Sequence, residues 1–169
     1  MKKFIIQSIL LIVVIFLGTF FYVKGSSVIP APFLPSQNTL TNLKINDYKI
    51  QVEVADTQEK RSKGLGGRET LATDSGMLFV FEREDKYPFW MKGLKFPLDF
   101  VWIKDTKVVD ITENVPVIPE RAYTVAPPNI DPNIPIYQSK EPIDKLLEVN
   151  AGFVAQHEIK IGDTVSIQR

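Results

Sequence analysis

The rhythm of hydrophobic and polar positions divides this chain into unlike parts. Residues 4–23 are almost wholly Ile, Leu, Val and Phe, interrupted by Gln7, Ser8, Gly18 and Thr19. Further on, Leu43-Lys44-Ile45 and Tyr48 to Val54 alternate apolar with polar, the period of a half-buried strand. Asn46-Asp47 between them reads as the turn of a β-hairpin. Ile50, Val52 and Val54 then face the core, while Gln51 and Glu53 face water. Thr57 has the chemistry of an N-cap for a short helix through Lys63, and Gly64 is its stop. Met77 to Phe81 is an unbroken apolar run, which suits a strand buried on both faces. Glu82 to Lys86 reads as a solvated turn. Phe89-Trp90-Met91-Lys92 and Phe100-Val101-Trp102-Ile103 read as further apolar strands, and Lys104–Lys107 as a turn into a returning strand at Val108–Thr112. Near the end, Lys145–Val149 is a strand, Asn150 caps a helix over Ala151–Glu158, Lys160–Asp163 is a turn, and Thr164–Ile167 closes the sheet.

About seven short strands at hairpin spacing predict an α+β fold. Its sheet is mainly antiparallel and curved or partly barrel-like, with two short helices. No βαβ alternation is visible, which argues against a doubly wound sheet. Residues 115–142 carry seven prolines. They predict a long irregular loop with a short strand at Tyr123–Ala126, and its Pro-rich part, 115–135, is a candidate docking segment for a protein partner.

The N-terminal segment changes the picture of where this domain sits. About 20 apolar residues at ~1.5 Å each span a ~30 Å hydrocarbon layer. Lys2 and Lys3 precede the run and favour the cytoplasmic side, opposed by Lys24. The expectation is one transmembrane helix within residues 1–24, contacting the membrane through 4–23. A Pro-rich linker follows over 25–42, and a single extracytoplasmic domain over 43–169. The rival reading is a cleaved signal peptide, which would release the domain as a secreted protein. Its apolar core is usually shorter than this one, and no Ala-x-Ala site follows closely.

Composition narrows the chemistry. The 169 residues hold no cysteine, so disulfides, thiol catalysis and cysteine metal sites are excluded. Formal charge balances, yet Lys2, Lys3 and Lys24 flank the apolar segment and leave 17 basic against 20 acidic residues beyond it. A slightly acidic domain has no electrostatic footprint for nucleic acid. No cofactor motif is present, and Gly64–Arg68 lacks the lysine and spacing of a phosphate-binding loop.

Several ordered motifs resemble a known family. They are Glu53-Val54-Ala55-Asp56-Thr57, Arg61 with Gly64-Leu65, Gly67-Arg68, Gly76–Phe81, Phe89-Trp90-Met91-Lys92, Pro97-Leu98-Asp99, Leu147–Gly152 and Ile161-Gly162-Asp163. From about Tyr48 to the C-terminus the chain is similar to the uncharacterised prokaryotic group called domain of unknown function one-ninety-two. The resemblance implies a small exported or anchored α+β domain and supplies no mechanism. The chain departs from the pattern at Gly66, where the family often has Met. It departs again at Gly93-Leu94, where the family often has Asn-Thr.

The aromatic stretch holds the candidate chemistry. Lys92 and Asp99 are charges embedded among aromatics, able to pair with each other, grip a ligand or serve as acid and base. Trp90, Met91 and Phe96 are candidate pocket walls. Arg61 and Arg68 flank a Gly-rich turn, ready for a carboxylate or phosphate, or for surface pairing with Glu59 or Glu69. Glu148 is a candidate acid or base with Asp99, or a cap for backbone amides at the following helix. His157 reads as a solvated residue at a helix end, and no partners for a metal accompany it. The leading expectation is a small-ligand-binding or interaction module around Trp90, Lys92 and Asp99. The alternative is an envelope hydrolase or isomerase using Asp99 and Glu148.

Overall fold

The computed structural model describes residues 40–118 and 134–168. Seven strands form one sheet: β1 Leu40–Ile45, β2 Tyr48–Ala55, β3 Ser75–Asp85, β4 Leu98–Lys104, β5 Lys107–Val115, β6 Ile143–Asn150 and β7 Val165–Gln168. Their order is β5-β4-β6-β3-β2-β1-β7. Every neighbouring pair is antiparallel except β2 and β3. The hairpin at Asn46-Asp47 forms as the alternation predicts, with Asn46 at φ 51°. Asparagine tolerates that left-handed conformation better than most residues.

The sheet curls until its two edges meet. Val108 N donates to Asp163 O at 3.0 Å, Gly162 N to Val108 O at 2.8 Å, and Val165 N to Thr106 O at 2.8 Å. The result is a half-barrel with two apolar faces. Inside lie Leu43, Ile50, Val52, Leu78, Val101, Leu147 and Val149 with Phe153 and Val154. Outside lie Met77, Phe79, Leu98, Phe100, Trp102 and Leu146, covered by Leu65, Met91 and Leu94. Alternate residues of β3, β4 and β6 feed alternate cores, so these strands are buried on both faces, as the unbroken apolar run Met77–Phe81 predicts for β3.

Several expectations change. β3 runs on through Glu82–Asp85, because a strand that outlasts one of its neighbours exposes its side chains and reads in sequence as a turn. Phe89–Lys92 is not a strand. It is joined to the rest by an isolated bridge from Phe89 to Tyr137. A βαβ unit does exist: β2, helix α1 (Gln58–Lys63) and parallel β3. The helix buries no residue, so it leaves no apolar periodicity to read. Thr57 and Gly64 cap it as expected. The second helix, α2, covers only Phe153–Gln156 and begins at Gly152, which sits at φ 88°. Asn150 stays in β6, and its amide donates to Leu71 O at 3.0 Å and Ala72 O at 3.1 Å.

Residues 40–42, assigned to the linker by sequence, begin β1. The apolar segment 4–23, the rest of the linker, the strand expected at Tyr123–Ala126 and most of the Pro-rich docking segment lie outside the described residues. Among the described residues, no helix is long and apolar enough to cross a membrane.

Gly76 sits where β3 passes tightly against β6. A Cβ there would lie 2.7 Å from Glu148 O and 3.1 Å from both Leu147 Cδ1 and Val149 Cγ1. The carbonyl belongs to the central ladder and cannot yield cheaply. Gly76→Ala is therefore expected to lose roughly 1–3 kcal/mol or more, read as a lower urea midpoint of the full chain. An unchanged midpoint would mean the strands separate more easily than the ladder implies.

Candidate functional site

A cleft of about 560 Å³ opens on the outer face of the sheet. Helix α1 and the Gly64–Gly66 turn form one wall, and residues 87–94 form the other. Gly67 N donates to Gly93 O at 2.8 Å and ties the two together. The floor is Phe79 and Glu148. Phe89 is the fixed point of the second wall. It exchanges two backbone hydrogen bonds with Tyr137, at 2.9 and 2.8 Å. Its ring meets those of Phe79 and Trp102 edge-on, with centroids 5.2 and 5.8 Å away. This packing leaves Trp90, 42% exposed, at the mouth, while Met91 turns inward and is wholly buried. Trp90 thus lines the cleft and Met91 does not. Met91 belongs to the outer core with Leu98 and Phe100.

Glu148 is the unusual group. It is 3% exposed, on the outer face of β6, opposite Phe100 and Met77 in register. Among the described residues its carboxyl makes no hydrogen bond or ion pair. Burial alone pushes its pKa up to about 8, because a carboxylate loses hydration there and gains nothing in return. At neutral pH it is mainly a neutral acid, able to donate a hydrogen bond into the cleft. It does not cap backbone amides.

Asp99 performs that duty instead. It is fully buried, and its carboxylate accepts from Asn114 N at 2.8 Å and Val154 N at 3.0 Å. It pairs with Val149 across the ladder, on the inner side with Val101. Lys92 is exposed at the cleft wall, and no ion pair joins it to Asp99 among the described residues. Asp99 and Glu148 lie on opposite faces of the sheet, since Asp99 stands opposite Val149 and Glu148 stands opposite Phe100. They cannot share one substrate, and the hydrolase or isomerase built on that pair is removed.

The two arginines part company. Arg61 lines the cleft. Its Nη1 donates to Asp56 O and to Val80 O, both at 2.8 Å, and its guanidinium lies 5.4 Å from the centre of the Phe81 ring. Both bonds leave from one nitrogen, and among the described residues Nη2 and Nε have no hydrogen-bond partner. Arg68 is engaged with Glu53 in a bidentate pair at 2.5 and 2.7 Å. That bond is the main reason its pKa is raised. Arg68 does not line the cleft, and its partner is Glu53, not Glu59 or Glu69. Glu69 pairs with Lys95.

His157 is no solvated surface residue. Its ring lies 3.8 Å from that of Tyr48 and 4.4 Å from that of Phe153, centre to centre, with Nε2 buried and without a partner among the described residues. No group of three or more metal-ligating side chains occurs among the described residues.

Of the seven candidates, the cleft gathers Arg61, Trp90, Lys92 and Glu148, and leaves out Arg68, Met91 and Asp99. Sequence reasoning missed Tyr87 and Phe89, which line it. Their signal is a pair of aromatics flanking Pro88; Phe89 reads as part of a strand, and Tyr87 falls between that strand and the charged turn.

The chain has relatives of known structure. It is similar to a Sinorhizobium meliloti 1021 protein provisionally described as a transcription regulator, at 28% identity and a TM-score of 0.66, over 77% of this chain and 95% of that one. It is also similar to a protein of unknown function from Novosphingobium aromaticivorans DSM 12444, at 25% identity and a TM-score of 0.64, over 83% of this chain and 94% of that one. No curated protein matches it. Residues 41–167 match the family DUF192, described as Uncharacterized ACR, and the chain belongs to that family.

Proposed function

We propose that this protein is a binding module whose ligand enters the outer-face cleft, and that the N-terminal apolar segment holds the module on the extracytoplasmic side of a membrane. The observation that carries the binding reading is Glu148, a buried side chain whose carboxyl has no hydrogen-bond or ion-pair partner among the described residues, at the floor of an open, aromatic-walled cleft. A polar group in that position costs stability unless something completes it. Lys63 and Lys92 at the walls, with Arg61, favour a ligand bearing an anionic group. Trp90, Tyr87 and Phe89 favour an apolar or ring-shaped body. Transcriptional control, the role attached to the Sinorhizobium protein, fits less well with 17 basic against 20 acidic residues beyond the N-terminal segment.

The test is a thermal-shift screen of the full chain against metabolites and envelope fragments, with tryptophan fluorescence in parallel. Trp102 is fully buried, its Nε1 donating to Thr112 Oγ1 at 2.9 Å, so ligand-dependent changes report on Trp90. A ligand is expected to raise Tm and shift the emission, and Trp90→Ala is expected to abolish the shift and weaken binding about tenfold or more. Ligands that raise Tm equally in wild type, Trp90→Ala and Lys92→Ala would overturn this cleft as the site.

A further inference from the structure

The cleft lies beside an unfinished sheet edge. β2 ends at Ala55, opposite Phe79, yet β3 continues to Asp85. Past Phe79, no strand flanks that side of β3 among the described residues. On the other side, the pairing with β6 shifts register between Val80 and Asp85. The first carbonyl of the open edge, Val80 O, is already taken by Arg61. A second cleft of about 650 Å³ follows the edge, lined by Asp56, Thr57, Gln58, Glu82 and Arg83. The two clefts share Gln58, Arg61, Phe81 and Tyr87. The Phe81 and Tyr87 rings are stacked there at 3.7 Å and 10°.

We infer that this edge takes the C-terminal end of an extended peptide, running antiparallel to β3 and stopping with its carboxylate on Arg61. The inference rests on the binding reading above and names its ligand class. An exposed strand edge supplies main-chain hydrogen bonds to any extended chain, and pockets beside it select side chains. The incoming strand cannot continue past Val80, because β2 and the start of α1 occupy that path. A chain end is therefore required there. Arg61 fixes which end, since its guanidinium attracts a carboxylate and repels an ammonium. The last side chain enters the cleft floored by Phe79 and Glu148, and the preceding residues lie over Phe81–Arg83.

The experiment uses the full chain and a fluorescent hexapeptide library prepared in two forms, one with free C-terminal carboxylates and one amidated. Binding is followed by anisotropy. The free form is expected to bind about tenfold or more tightly, and Arg61→Gln to erase the difference. Because Arg61 also holds Val80 O, a second test leaves the protein unchanged. Peptides N-methylated at alternate residues are expected to bind only when the methyl falls on amides facing away from β3. Equal binding of free and amidated peptides would overturn the role of Arg61. Indifference to N-methylation would overturn strand addition. If no peptide binds while small anions still shift Trp90 emission, the peptide inference fails and the binding reading stands. If neither acts on Trp90, both fail.

Discussion

Asp99→Ala is expected to cost the domain about 3–5 kcal/mol, a large part of the stability an ordinary domain possesses. The reason is the two amides that the carboxylate holds. Asn114 N, near the end of β5, and Val154 N, in the first turn of α2, both point at Asp99. Val154 and Phe153 are buried, so water cannot readily replace the lost acceptor, and each orphaned donor costs roughly 1–3 kcal/mol. Asp99→Asn keeps the shape and one acceptor oxygen but turns an NH₂ toward the other amide, so it is expected to lose about half as much. Lys92→Ala, by contrast, removes an exposed side chain and is expected to change stability by less than about 0.5 kcal/mol. Because the two do not touch, their effects add within about 0.3–0.5 kcal/mol in a double-mutant cycle. Urea unfolding of the four proteins decides this. A coupling energy above 1 kcal/mol would restore the Lys92–Asp99 pair that the geometry denies.

That pair illustrates how far the sequence can be read. Two charges seven residues apart in one aromatic stretch look like partners, and nothing in the spacing says that they end on opposite faces of the sheet. Once Pro97-Leu98-Asp99 enters β4, the two-residue period assigns Asp99 to the inner face with Val101. The same period was legible in β2, where Ile50 and Val52 are buried, and in the double-sided burial of β3 and β4. The curvature was expected and the closure was not fixed, because closure depends on Val108, Gly162 and Val165 meeting across the chain. The crossover helix left no periodic signal, and its parallel neighbour β3 could not be deduced from hairpin spacing. Within the site, residue types were readable: arginine beside glycines, tryptophan beside lysine, a glutamate in an apolar strand. Which arginine was already spent on Glu53, and which carboxyl has no partner among the described residues, are matters of three-dimensional neighbours.

Glu148→Gln is expected to stabilise the protein increasingly as pH rises, a reversal of the usual outcome for a buried substitution. The sign follows from its pKa, which burial raises from 4.5 to about 8. Below pH 4.5 both the folded and unfolded chains carry the proton, and the group favours neither. Between 4.5 and 8 the unfolded chain releases its proton while the folded chain keeps it. Stability therefore falls as pH rises, with a limiting slope of ~1.4 kcal/mol per pH unit. Above 8 both states are ionised, the slope vanishes and the full penalty remains. Glutamine does not titrate, so the stability difference between variant and wild type should open across that window. It should level off on the order of 5 kcal/mol, less whatever the cleft's water returns to the carboxylate. Binding separates this from a purely structural effect. If the neutral carboxyl donates a hydrogen bond to the ligand, wild-type affinity declines above pH 8. Glu148→Gln, whose amide still donates, should hold its affinity there, while Glu148→Leu loses it at every pH. Thermal unfolding and ligand titration from pH 5 to 9 on the three proteins make the comparison. Parallel stability curves for wild type and Glu148→Gln would show that Glu148 is ionised in the folded state throughout, and the cleft would then be lined by four charges instead of three cations and a neutral acid.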